Sequence, residues 1–380
     1  MKIIIAAEIF PPDIGGPATY SKDLAEELVK AGWLVNLICY SDKIEKDDDL
    51  PFKVTRILRG QSTAKRYIQY FWHLLKLVNS GCDVIYAMGP VSSGLPAMIV
   101  GFLFSKKVFV KVVGDYAWEQ ARNLKQTDLG IDEFQKQKLT GKISLLKKIE
   151  TFTCSKAYKV ITPSEYLKEI VKGWGVPGDK IEVIYNSFNY SKFDFAADSN
   201  KDSNLIISIG RLVPWKGFDT LINLFPELLK EIPELRLMII GEGPEREKLS
   251  DLVRDLNLDG RIIINALPHN LVLDNLSLAG IFVLNTGYEG LSHTVLEAMA
   301  AGTPVITTKI GGNPELIIDN ENGLLVEYNN REQLKEAILK LYQSRELSQK
   351  FINNSKEVLK KFTKEEMIEK TKSFLKSSIE

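Results

Sequence analysis

Ten short Val/Ile-rich runs, most of them followed by a longer stretch with helical spacing, constrain this 380-residue chain more than any other feature. In the first half they are KIIIAA, WLVNLICY, CDVIYAMG, KVFVKVVG and AYKVITPS; in the second, LIISIGR, LRLMIIGEG, RIIINAL, IFVLNT and TPVITT. Each is about one strand long. A strand apolar throughout must be covered on both faces, and amphipathic stretches such as TYSKDLAEELVKAG and FDTLINLFPELLKEIP supply helices to cover it. Such alternation gives a parallel sheet wound on both sides, and the pattern occurs twice. At 380 residues a single core would be too large, so two domains are expected on length as well. The fold class is therefore α/β, with two doubly wound parallel-sheet domains. The polar, aperiodic stretch SFNYSKFDFAADSNKDSN marks the joint. We expect an N-terminal domain over 1–188 and a second domain over 189–362. The tail is helical throughout, and its end, 363–380, is expected to cross back to the first domain.

Composition narrows the function. Net charge is zero, which argues against a dedicated nucleic-acid binder. The zero hides an asymmetry: residues 1–190 carry 26 Lys+Arg against 21 Asp+Glu, and the rest 23 against 28. Different partners for the two halves and a drift without meaning weigh about equally. Cys39, Cys82 and Cys154 are far apart, with no CxxC pair, so neither a disulfide framework nor a zinc site is supported. The start, MKIIIAAEIFPPD, reads as a first buried strand and not a signal peptide. The longest apolar stretch, GLPAMIVGFLFS, suits a buried helix better than a membrane span. A cytoplasmic protein with reduced thiols is expected.

In doubly wound sheets ligands bind beyond the carboxyl ends of the strands. After LIISIG come Gly210, Arg211, then Lys216 and Gly217, just before a helix. Two fixed cations there suit a diphosphate, although solvated surface charges alone are the commoner case. After LRLMII comes a Gly241-Glu242-Gly243 turn that permits close approach. After IFVLNT comes EGLSHTVLEAMAAG. Ser292 or Thr294 can cap the helix that follows, and Gly302 can stop it. Glu289 then lies in the loop and Glu297 early in the helix. The N–H groups of Gly290, Leu291 and Ser292 point outward, toward phosphate or sugar oxygens. The two acids are either caps or acceptors for ligand hydroxyls.

GRLVPWKG, EGLSHTVLE and AMAAGTPVI, taken together at this spacing, resemble the donor site of retaining glycosyltransferases of the GT-B fold, glycosyltransferase family 4. EIFPPDIGGPATY resembles that family's first strand and glycine loop. The resemblance implies two Rossmann-like domains facing a cleft, the first holding the acceptor and the second a nucleotide diphosphate sugar. It implies transfer of a hexose, of glucose or mannose type, to a sugar, lipid-linked or small-molecule acceptor with retention, and no metal or other cofactor. By position, Arg211 and Lys216 bind the diphosphate, Glu289 the transferred sugar and Glu297 the ribose. Gly15 and Gly16 approach the phosphates from the first domain. Gly290, Leu291 and Ser292 line the sugar pocket, and the base lies near Leu267 and Gly241. His293 either reaches the donor or packs at the helix start.

One departure stands out. Many members place a His after the strand matching KVFVKVV; here VVGDYAWE puts Gly114 and Asp115 there. Asp115 is taken as a site residue able to bind an acceptor hydroxyl or stabilise positive charge on the ring. Tyr116, Trp118 and Glu119 are taken as acceptor contacts, against core packing for Trp118 and a plain surface acid for Glu119. The lysines between Gln135 and Lys159 read first as the solvated face of a helix, with contact to an anionic membrane as the alternative. Asp47-Asp48-Asp49 reads as an exposed charge run and not a metal motif. His73, His269 and His293 lack metal-ligand spacing.

Other functions remain as alternatives. A glycoside hydrolase would use Glu289 and Glu297 as its carboxylate pair, but it needs no diphosphate clamp. A dehydrogenase is disfavoured because the first strand is not followed by GxGxxG. A sugar-nucleotide-binding pseudoenzyme gains weight from the missing His.

Overall fold

The computed structural model describes residues 1–13, 16–45, 47–187 and 201–377. It divides into two compact units, Met1–Asn186 with the chain from Met367 onward, and Ser187–Glu366.

The first unit contains β1 (Lys2–Ala6), β2 (Leu34–Ser41), β3 (Lys53–Leu58), β4 (Val84–Ala87), β5 (Lys107–Lys111), β6 (Lys159–Thr162) and β7 (Ile181–Val183). They form one parallel sheet in the order β3-β2-β1-β4-β5-β6-β7. The apolar runs do what a two-sided strand requires. Ile4 and Ala6 enter the core on one face of the sheet, Ile3 and Ile5 the core on the other. Tyr70 and Leu74 from the helix Thr63–Asn79 cover the first face. Leu24 and Leu28 from the helix Gly16–Lys30 cover the second.

That second core is completed from the far end of the chain. Met367, Ile368 and Leu375 of the helix Lys364–Ser377 are buried in it. Phe374 meets Phe109 edge-on at 6.0 Å between ring centres, and the Thr371 hydroxyl lies 3.4 Å from that of Tyr20.

The second unit contains β8 (Asp202–Ile209), β9 (Arg236–Ile240), β10 (Ile262–Asn265), β11 (Ala279–Leu284), β12 (Val305–Thr308) and β13 (Leu324–Val326). All pair in parallel, in the order β10-β9-β8-β11-β12-β13. The order reverses between β1 and β4 in one sheet and between β8 and β11 in the other. At such a reversal the loops leaving the two strands diverge and open a crevice.

The strand-by-strand reading omits β3, β7 and β13. β3 reads KVTRIL and lies at a sheet edge, so it needs no continuous apolar run. β7 and β13 are three residues each, too short to show a period. A further correction concerns the helix Gly94–Leu103, expected to be buried. Pro96, Ala97, Val100 and Gly101 are buried, but Phe102 is 87% exposed. Among the described residues no helix is long and apolar enough to cross a membrane.

Candidate active site

The crevice of the second unit is built from backbone first. Gly210 donates to Ile240 O at 3.0 Å, Leu212 to Glu242 O at 2.8 Å and Glu245 to Leu212 O at 3.0 Å. These bonds press the loops after β8 and β9 together, leaving no room for a side chain at Gly241. A Cβ there would sit 1.9 Å from the Gly210 carbonyl oxygen.

Beyond Arg211 the chain makes a single 3₁₀ turn, Pro214–Lys216, and ends it at Gly217 with φ +54°. That left-handed residue starts the helix Phe218–Glu231. Buried Asn285, just past β11, fixes the junction. Its Nδ2 donates to Gly217 O at 3.0 Å and to Asn329 Oδ1 at 2.8 Å. The Gly287 N–H donates to Trp215 O at 2.7 Å. The loops after β8 and β11 are thereby locked side by side.

This locking brings Lys216 against Glu289, and the ammonium donates to Oε1 of the carboxylate. Their side chains are only 13% and 15% exposed. Arg211 is exposed and has no ion-pair partner among the described residues. On the other side of Glu289, Gly312 donates to the Glu289 carbonyl at 3.0 Å, and a Cβ on Gly311 would strike that same oxygen.

Ser292, not Thr294, caps the helix His293–Ala300 and accepts from Val295 N at 3.3 Å. Gly290, Leu291 and Ser292 are buried and His293 half-buried at the first helical position. Glu297 lies one turn in, buried, with one oxygen 2.8 Å from His269 Nε2. His269 begins the preceding helix, His269–Leu278, two residues after half-buried Leu267. The structure therefore pairs Lys216 with Glu289 and Glu297 with His269. The second pairing is not apparent from spacing.

The first unit gives a different picture of its expected residues. Gly15 lies outside the described residues, and Gly16 opens the helix Gly16–Lys30. Asp115 has no exposed surface. One carboxylate oxygen caps the helix Tyr116–Asn123, accepting from Trp118 N at 2.8 Å. The other accepts from Gln135 Nε2 at 2.8 Å and from Lys147. Both oxygens are committed, so the expectation that Asp115 meets an acceptor hydroxyl or the sugar ring is corrected: it is a cap in a buried polar network. Trp118, expected at the acceptor, is 1% exposed and donates from Nε1 to Leu129 O at 3.0 Å. It is a core residue. Tyr116 and Glu119 are half-buried.

Two acids escaped the sequence reading. Glu150 is buried beneath the same helix start and accepts from Tyr116 N at 2.6 Å and Ala117 N at 3.2 Å. Burial, and then the charge of Asp115, push its carboxyl well above the ordinary range. Its signal was available: it shares a helical stripe with buried Ile143 and Cys154. Glu8 follows β1 at the other strand-order reversal and accepts from Ser92 N at 3.3 Å. Burial raises its carboxyl as well. Among the described residues no cluster of His, Cys, Asp and Glu suits a metal ion. The Asp47-Asp48-Asp49 run is partly committed, since Asp47 takes two hydrogen bonds from Arg56 at 2.9 and 2.8 Å.

Comparison with known proteins sharpens this picture. A family model described as Glycosyl transferases group 1 matches residues 189–358, and one described as Glycosyltransferase Family 4 matches residues 14–192. The chain belongs to glycosyltransferase family 4. An uncharacterized glycosyltransferase of Methanocaldococcus jannaschii is 29% identical over 247 residues, 61% of this chain and 63% of its own length. The lipopolysaccharide core biosynthesis glycosyltransferase LpsE of Rhizobium meliloti is 32% identical over 162 residues, 43% of this chain and 46% of its own length. The chain thus spans less than two thirds of either relative. The crystal structure of Anabaena HepE in complex with UDP matches with a TM-score of 0.79 over 99% of this chain and 100% of that one. At 16% identity this is a likeness of fold, that of the GT-B glycosyltransferases.

Proposed function

We propose that the protein transfers a hexose, of glucose or mannose type, from a nucleotide diphosphate sugar to a sugar, lipid-linked or small-molecule acceptor, with retention at the anomeric carbon. The observation that carries the reading is the Lys216–Glu289 pair at the strand-order reversal, beside exposed Arg211. The family membership and the UDP bound by the HepE structure support it.

In this reading Lys216 and Arg211 hold the donor diphosphate. The bond from the anomeric carbon to the phosphate oxygen breaks, and the acceptor oxygen bonds to that carbon on the same face. The acceptor's proton passes to the leaving phosphate. The two cations stabilise the negative charge that develops there, which is work a fixed charge performs well in a closed site. This reading gives the reaction no need of a metal. Glu289, released from Lys216 when the diphosphate arrives, meets the hydroxyls of the transferred sugar. Glu297, oriented by His269, accepts from the ribose.

A thermal-shift panel of UDP-, GDP- and ADP-sugars tests the reading on wild type and Glu297→Ala. One nucleotide class should raise the wild-type midpoint, and the variant should lose most of that rise. Equal rises in both would remove the ribose role. Binding with no donor turnover in the presence of glycan acceptors would point to a sugar-nucleotide-binding pseudoenzyme.

A further inference from the structure

The strand-order reversal between β1 and β4 opens a crevice of its own in the first unit. Glu8 stands two residues past β1. Its carboxylate lies against Gly89, two residues past β4, where any Cβ would collide with Oε1. Ser92 N donates to that oxygen at 3.3 Å, and among the described residues no Lys or Arg pairs with the carboxylate. Tyr40, near the end of β2, donates to Ser92 O at 3.0 Å, and the Tyr116 phenol bonds the Ser92 side chain. Arg66 and Tyr67 come from the helix Thr63–Asn79. The Tyr67 ring lies 6.5 Å from that of Tyr40, and the Arg66 guanidinium 5.4 Å over the Tyr40 ring. Tyr40 and Tyr116 are both within electrostatic reach of Glu8, Arg66 and Tyr67, so these groups converge on one place. Glu8, Arg66, Tyr67, Ser92 and Tyr116 are all half-buried, as the walls of an open crevice are.

Asp115 has both oxygens committed within its own network; Glu8 does not. A carboxylate held by main-chain N–H groups and no cation keeps lone pairs for further donors. Charge then selects the ligand. An anion would meet Glu8 at close range, and a cation would meet Arg66. A neutral molecule rich in hydroxyls suits both, donating to the carboxylate and accepting from the guanidinium. The tyrosines add flat apolar faces, which can take the C–H face of a sugar ring while their phenols stay available for polar contacts.

We propose that this crevice binds a neutral sugar, with a sugar hydroxyl donating to Glu8 and the ring set against Tyr67. Its use as the acceptor site rests on the glycosyl-transfer reading, and it narrows the acceptors named there to those that present an uncharged sugar.

Saturation-transfer NMR on the full chain tests it, with methyl α-glucoside, methyl α-mannoside and methyl β-galactoside as probes and choline and inorganic phosphate as charged controls. At least one glycoside should receive saturation from wild type, and neither control should compete with it. Glu8→Gln, which keeps the shape and removes the charge, should weaken that glycoside about tenfold or more, and Tyr67→Ala should weaken it as well. The nucleotide-sugar thermal shift should be the same in Glu8→Gln as in wild type. Absence of any glycoside signal, or equal signals in wild type and Glu8→Gln, overturns the proposal. So does a signal that survives Glu8→Gln and is lost in Glu289→Gln, which would assign the glycoside to the second unit. Glycoside binding that depends on Glu8 in a protein that takes no nucleotide sugar would uphold this site and remove the donor reading instead.

Discussion

Two of the lysine–carboxylate pairs whose acid follows a strand end, Lys147 with Asp115 and Lys216 with Glu289, differ in what else they touch. Asp115, paired with Lys147, is fully buried; it also caps a helix and takes a bond from Gln135. Lys147 in turn donates to Gln135 Oε1 at 2.9 Å and lies 4.1 Å over the Trp174 ring. Every group has several partners, and an incoming ligand would have to dismantle the network. Glu289 and Lys216 have chiefly each other, in side chains still partly open to solvent. A charged pair at a strand end therefore does not by itself identify a site. The pair whose members can change partner without orphaning a buried group is the one suited to a ligand, because an uncompensated buried charge is costly.

Substitutions that cut each pair should separate these roles. The largest effect expected is on stability: Asp115→Ala should cost about 3–5 kcal/mol, because it removes a helix cap and the carboxylate at the centre of a buried network that Lys147 and Gln135 share. Urea unfolding measures it, and activity per folded molecule should stay near wild type. A stable but inactive Asp115→Ala would return that residue to the reacting centre. Lys216→Ala should do the reverse, lowering turnover by roughly 10²–10³ while scarcely moving the unfolding midpoint. Unchanged turnover would end the diphosphate assignment.

The smallest effect concerns a third lysine, with no carboxylate at all. Lys111 is buried, its ammonium has no hydrogen-bond partner, and it lies 3.5 Å from the Tyr20 ring centre. Burial pulls it from 10.5 down to about 7. Between those values the unfolded chain binds the extra proton and the folded protein does not, so stability from this group rises with pH across that window. Lys111→Met should add roughly 1–3 kcal/mol near neutral pH and flatten that dependence. An unchanged slope from pH 7 to 10 would show that the amine is not the cause.

The same contrast explains what could be read from the chain. The central strands are legible because they are covered on both faces and must be apolar throughout; edge strands such as KVTRIL carry no such demand. Lys216 and Glu289 are legible because they stand in glycine-rich turns directly after strands, where local sequence fixes position. Asp115 stands in such a place too, and the reading placed it at the reacting carbon. What committed it instead was Gln135 and Lys147, 20 and 32 residues away, whose convergence no local pattern records. The His269–Glu297 pairing is hidden for the same reason.

The core of the first unit takes Met367, Ile368 and Leu375 from the chain's last helix. On a ribosome those residues emerge only after the whole second unit has been made. The half of the protein that is synthesised first is therefore the half that is finished last, and until then the face awaiting that helix stays open to chaperones and proteases.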